Sequence, residues 1–209
     1  FTFKTVDNAL KGGTSSKTSA CLTFDDGFSS DYNIVLPELK KAGAKATFFI
    51  VTDLIGKPGY VTKEQINSLS NAGMQIGSHS VSHPNFLKLN PEERRAELLE
   101  SKQTLESIVN KEIAAFSFPF GFFNSESIQA AFSTGYSTCC TSDHGLSFKN
   151  QTIICRNSIN ANTSIRRVDN ILRANLIQRV IWICEDRSKA LMKKFMPKIY
   201  VYIRNVLSR

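Results

Sequence analysis

Histidine is scarce in this chain: His79, His83 and His144 are all it has. Two of the three stand four apart in Ser78-His79-Ser80-Val81-Ser82-His83. On a helical turn that spacing sets both imidazoles on one side, within reach of a single ion. Two histidines make an incomplete metal site. A carboxylate completes a facial set that leaves positions open for water and substrate, the arrangement of metal-assisted hydrolysis. The carboxylate candidates stand in Thr23-Phe24-Asp25-Asp26-Gly27. Adjacent aspartates at the end of an apolar strand resist joint ionisation unless a cation or proton intervenes. Gly27 permits the sharp turn that brings both towards one point. Taken singly, each motif reads as readily as a pair of exposed or capping histidines, or as a solvated Asp-Asp-Gly turn.

The elements that must position these residues follow from the pattern around them. Apolar runs alternate with amphipathic stretches, as in an α/β protein. Cys21 to Phe24 reads as a short buried strand ending at the aspartates, followed by a helix over about 31–42 that Gly43 stops. Residues 46–52 (ATFFIVT) are a second strand by their β-branched and aromatic content. Thr62 and Gln65 fit a capping box for a helix reaching Ala72, and residues 74–77 form a third strand running straight into Ser78-His79. Asn90-Pro91-Glu92-Glu93 opens a longer helix with a capping Asn, Pro at the first position and acid in the first turn. Further strands are predicted over 113–118, 136–141 and 153–156, and helices over 125–133 and 164–174. The unusual polar residues therefore gather at strand C-terminal ends, where parallel α/β folds and barrels place their chemistry.

At 209 residues the chain can bury one core, and 42% hydrophobic with 21% charged residues is ordinary for a soluble globular protein. The net charge of +8 is uneven. Residues 173–209 hold nine Lys/Arg and two Asp/Glu, while the rest is nearly neutral. A protein that reads nucleic acid through its main fold would show the reverse, so no nucleic-acid partner is expected. The five cysteines, odd in number and without a CxxC pair, read as reduced and mostly buried. No charged-then-apolar leader opens the sequence, so no signal peptide is expected in it.

Taken together, Thr-Phe-Asp-Asp-Gly and, some fifty residues later, His-Ser-x-x-x-His resemble the polysaccharide deacetylase superfamily, carbohydrate esterase family 4 with its NodB-homology domain. The resemblance extends through Ala46-Thr47-Phe48-Phe49-Ile50 and through Phe116-Ser117-Phe118-Pro119-Phe120-Gly121, similar to the family's proline-containing third motif. It covers roughly residues 20 to 160. It implies a distorted (β/α) barrel with fewer than eight strands, and a divalent metal, usually zinc, on Asp26, His79 and His83. It further implies Asp25 as the general base towards water at the metal, and the Phe120 main-chain N–H as a donor to the oxyanion.

The pattern is broken in two places. The third motif often carries Arg two positions before the proline, paired with the catalytic aspartate, and here that position is Ser117. Arg156, at the end of a later strand, is the replacement expected near Asp25. Many relatives use a C-terminal His as general acid, whereas nothing follows His144, which is therefore the candidate acid. Phe28, Phe118 and Pro119, with Phe120, Phe122 and Phe123, lie beside the motifs and could face a sugar, although apolar packing is the competing role.

The implied division is a catalytic domain over 1–175 and a basic amphipathic helical tail over 176–209. The tail lacks the roughly 20 consecutive apolar residues that span a bilayer, and a basic amphipathic segment can instead lie on an anionic membrane surface. The expected function is N-deacetylation of an acetylated carbohydrate, a polysaccharide or its precursor. The rivals are an O-acetyl esterase and a catalytically inactive carbohydrate-binding relative. The cysteines argue for the cytoplasm, and the expected place is there or at the membrane's inner face, whereas the substrate implied by the resemblance argues for the cell envelope.

Overall fold

The computed structural model describes residues 1–11 and 19–207. Two short strands, β1 (Thr2–Phe3) and β2 (Ser19–Ala20), pair in parallel, with helix α1 (Val6–Leu10) between them in sequence. The main sheet has six parallel strands in sequential order: β3 (Leu22–Phe24), β4 (Ala46–Ile50), β5 (Gln75–Ser78), β6 (Ala115–Ser117), β7 (Thr138–Cys140) and β8 (Ile153–Ile154). Parallel neighbours need crossovers. Helices α2 (Leu36–Lys41), α3 (Lys63–Asn71), α4 (Pro91–Val109) and α5 (Ser125–Ser133) supply them as far as β7. The chain closes with α6 (Ile165–Arg173), α7 (Leu176–Phe195) and α8 (Pro197–Leu207). This is the α/β, incomplete (β/α) barrel expected from the sequence, with six strands curled into a half-barrel.

Strand β4 explains the layering. All five of its residues are buried, and they alternate between two cores. Ala46, Phe48 and Ile50 pack outward with Leu69, Leu98, Leu105 and Phe116, the layer between sheet and helices. Phe49 points the other way, into a smaller core with Val6, Ala115, Cys140 and Ile154. That is the period-two pattern of a strand covered on both faces. Val6 reaches this inner core because α1 plugs the start of the strands. The Val6 N–H donates to Thr47 Oγ1 at 3.0 Å, and the Asp7 N–H donates to Gln75 Oε1 at 3.1 Å.

Helix starts follow their caps. Thr62 with Gln65 and Asn90 with Glu93 both form complete capping boxes. The helix expected over 31–42 begins with a wide π turn, Asp31–Val35, before settling into α2. Pro37 accounts for it: the proline ring would crowd the carbonyl four residues back in a regular α turn, and the wider turn relieves that contact. The strands are shorter than predicted, 113–118 shrinking to Ala115–Ser117 and 136–141 to Thr138–Cys140.

Candidate active site

Four loops at the C-terminal ends of β3, β5, β6 and β8 converge on one point. The first carries Asp25 and Asp26, with Asp26 itself at φ 74°. The second, after β5, carries the histidines, and here the expectation of a helical turn fails. Residues 79–83 form an irregular loop, with Ser80 at φ 73° and His83 at φ 61°. The imidazoles still meet, because the loop is tied down on both sides. Glu97 of α4 accepts the N–H groups of Val81 and Ser82, at 2.8 and 3.0 Å. Ser80 Oγ accepts the His83 N–H at 3.0 Å. Left-handed backbone at non-glycine residues is costly and collects at functional sites.

Three donor atoms face one another. Asp26 Oδ1 lies 3.5 Å from His79 Nε2 and 3.4 Å from His83 Nε2, and the two Nε2 atoms are 3.2 Å apart. Ligands about 2.1 Å from a tetrahedral ion stand roughly 3.4 Å apart, so this triangle fits a divalent metal with one position open. The tautomer suits it as well. His79 is buried, and its Nδ1 sits 2.6 Å from the Ser117 carbonyl, which accepts the ring N–H and leaves Nε2 as the lone-pair donor. Burial lowers the His79 pKa despite the nearby Asp25 and Asp26 carboxylates, favouring the neutral ring that a metal requires. Among the described residues these three form the one such cluster.

Asp25 lies at the edge of this triangle, with Oδ2 3.9 Å from His79 Nε2. Arg156 grips it bidentately: Nη1 donates to Oδ1 at 2.6 Å and Nη2 to Oδ2 at 2.8 Å. The same guanidinium donates to Ser117 Oγ at 2.7 Å, to Thr23 Oγ1 at 3.2 Å and, through Nε, to the Thr141 carbonyl at 3.1 Å. It also lies 5.4 Å from the Phe49 ring centre. The arginine missing from the third motif is thus replaced from another strand, and Ser117, small and fully buried, serves as one of its anchors.

The third loop is a single tight turn, Pro119–Gly121, in which Phe120 is left-handed at φ 56°. The Phe120 N–H has no hydrogen-bond acceptor among the described residues, as an oxyanion donor requires. Its ring packs edge-on against His83, centroids 4.4 Å apart. Gly121 is obligatory, since a Cβ there would fall 1.8 Å from Ser142 Oγ. The C-terminal helices hold this loop from outside. Lys193 Nζ donates to the Gly121 carbonyl at 2.7 Å, and Tyr200 Oη donates to the Phe120 carbonyl at 3.2 Å.

The remaining sequence candidates fare unequally. Phe118 is corrected: it is 1% exposed and stacked among Phe86, Phe116 and Phe123, so it belongs to the core and cannot touch a substrate. Pro119 is buried in the same turn, and Phe122 is buried against Tyr200. Phe28 is half-buried, stacked on Tyr60, and borders a cleft of about 1570 Å3 together with Asp25, Asp26, His144 and Arg156. His144 is committed elsewhere. Its Nδ1 lies 2.8 Å from Asp186 Oδ1 and its Nε2 3.4 Å from Glu185 Oε2, with Lys189 Nζ within 3.3 Å of both ring nitrogens. Burial first, and Lys189 second, lower its pKa. The supporting residues Glu97, Lys193 and Tyr200 carry no short-range sequence signal. Each acts on the site through the fold alone.

The chain resembles known proteins in sequence and in fold. The chain is similar in structure to a Streptococcus pyogenes deacetylase, PplD, solved in complex with acetate: TM-score 0.72, 28% identity, covering 78% of this chain and 75% of that one. It is 32% identical over 136 residues to YxkH of Bacillus subtilis (strain 168), which carries a polysaccharide deacetylase name; the match takes in 65% of this chain and 49% of YxkH. It is 33% identical over 97 residues to a peptidoglycan-N-acetylglucosamine deacetylase of Bacillus cereus, 46% of this chain and 34% of that protein. The chain thus spans half or less of the length of these two relatives. Residues 12–139, well over half the sequence, match the polysaccharide deacetylase family, and the chain belongs to that family.

Proposed function

We propose that this chain is a metal-dependent hydrolase that removes N-acetyl groups from a polysaccharide or its glycan precursor. The ion assigned to Asp26, His79 and His83 is zinc, in keeping with a two-histidine, one-carboxylate donor set. The observation that carries the reading is the triangle of those three donor atoms, 3.2 to 3.5 Å on a side, with the oriented Asp25 carboxylate at its edge.

When bound, a divalent ion supplies Lewis acidity, which makes water a usable nucleophile near neutral pH and polarises an acetyl carbonyl. The protein does the rest. Asp25, fixed by Arg156, takes the proton of the attacking water as general base. Phe120, held left-handed in its turn, offers its N–H to the developing oxyanion, a contact typically worth about 3 kcal/mol. We assign return of the proton to the leaving nitrogen to Asp25 as well, because the ring nitrogens of His144 already face Asp186, Glu185 and Lys189. Every residue in this scheme lies within 1–175, the proposed catalytic domain. Residues 176–209 are assigned a supporting part, through Lys193 and Tyr200.

The test pairs metal content with acetate release from N-acetylglucosamine oligomers, for the wild type and His79→Ala. About one metal per chain, lost in the variant together with acetate release, supports the proposal. A variant that keeps its metal sinks the site. Release only from O-acetylated sugars makes the protein an esterase, and metal binding without release from any acetylated sugar makes it a carbohydrate-binding relative.

A further inference from the structure

Helix α7 is amphipathic in the inverse sense to a helix that simply packs on a domain. Its inner face is largely polar: Gln178 is buried, Asp186 and Lys189 engage His144, and Lys193 reaches Gly121, with Trp182 and half-buried Met192 the large apolar side chains turned inward. Its outer face is apolar. Ile177, Val180, Cys184, Leu191 and Phe195 are all exposed, Ile177 by 72% and Phe195 by 68%. At 3.6 residues per turn these five fall within an arc of about 60°. Past the Met196-Pro197 break, α8 adds exposed Ile199 and Tyr202. An apolar strip left to water, broken for one turn at exposed Arg187 and Ser188, marks a surface that a partner covers.

Charge decides which partner. Residues 173–209 hold nine basic and two acidic residues, and both acids are engaged: Glu185 with Arg167, Asp186 with His144. Arg187, Lys194 and Lys198 are exposed near the strip. A second copy of the chain would bring these cations against their own kind. An anionic lipid surface takes both the cations and the apolar strip. No helix among the described residues is long and apolar enough to cross a membrane, so the contact lies in the plane of the surface. We propose that α7 and α8 form a docking surface for an anionic bilayer. The argument stands independently of the chemistry assigned to the metal site.

The experiment is co-sedimentation of the full chain with vesicles of phosphatidylcholine alone, and with about 30% phosphatidylglycerol. Binding to the anionic vesicles should be at least roughly tenfold tighter and should weaken in high salt, as a surface contact of several cations requires. Val180→Asp with Leu191→Asp should abolish binding. Arg187→Glu with Lys194→Glu should abolish the anionic preference while changing only exposed side chains, so an unaltered circular-dichroism melt separates lost binding from lost fold. The proposal is overturned by absence of binding, by equal binding to both vesicles, or by a concentration-dependent dimer in sedimentation velocity that Leu191→Asp disperses.

Discussion

Arg156 and Asp25 stand just beyond the two edge strands of the sheet, β8 and β3, yet their side chains meet in a bidentate pair at 2.6 and 2.8 Å. The curled sheet lacks the strands that would close a full barrel, and this ion pair joins its open edges instead. Thr23 in β3 and Ser117 in β6 accept from the same guanidinium, so one side chain ties three strands to the Asp25 carboxylate. The pair is at once a structural latch and the device that orients the proposed base.

Arg156→Ala should therefore lose both. Breaking a largely buried pair takes from Asp25 the cation that grips both its oxygens, a destabilisation of about 3 kcal/mol, read by urea unfolding. Acetate release should fall by roughly two orders of magnitude, the usual contribution of a positioned acid–base group. Arg156→Lys, which keeps the charge but not the fork, should recover stability more than activity. Wild-type turnover in Arg156→Ala would remove the positioning role.

The loop Pro119–Gly121 gives a second prediction. Tyr200 and Lys193 hold the carbonyls of Phe120 and Gly121, and thereby the left-handed turn whose Phe120 N–H is the proposed oxyanion donor. Tyr200→Phe with Lys193→Met should lower kcat by roughly tenfold, part of what one oxyanion donor supplies. Metal content should stay at the wild-type level and KM should move little. A parallel loss of metal, or a rise in KM alone, would assign the two residues a merely structural part.

How much of this could be read from residue order depends on distance along the chain. That Asp26, His79 and His83 converge was legible because each half sits in a short motif, and the scarcity of histidine left few alternatives. The reason first given for the histidine pairing did not hold, since Ser80 and His83 adopt left-handed backbone where a helical turn was expected. Arg156 could be named from a missing charge at position 117. Its hold on Thr141, Thr23 and Ser117 depends on sheet curl that no local pattern encodes. Phe118 was misjudged because an apolar side chain beside a motif looks alike whether it lines a pocket or fills a core. Strands β1 and β2 went unread, each being only two residues long and defined by pairing alone.

Glu97 supplies a third prediction. Its carboxylate accepts two N–H groups and the Ser82 hydroxyl, fixing the loop that carries both histidines. Glu97→Gln should weaken metal affinity by roughly tenfold, as outer partners of metal ligands commonly do. Competition with a chelator would read the change, and saturating zinc should restore acetate release. Unchanged affinity would show that the loop holds its shape without Glu97.

The last prediction concerns Asp31, in the wide turn ahead of α2. It is 4% exposed, and its Oδ2 has no hydrogen-bond partner among the described residues. Burial, then the Asp26 and Asp25 carboxylates, push its pKa up to about 7. A carboxyl whose pKa is higher folded than unfolded binds more protons in the folded state, so its stabilising contribution is complete below the unfolded value of 3.8 and is lost as pH rises through about 7. Asp31→Asn, neutral throughout, should remove that slope. Between about pH 4 and pH 8, chelator-treated wild type should lose up to about 4 kcal/mol relative to the variant. Removing metal matters, because a cation on Asp26 would offset the repulsion that raises the Asp31 pKa. Urea unfolding of both proteins across that range is the measurement. Parallel stability profiles would mean that Asp31 ionises in the folded protein as readily as in the unfolded chain.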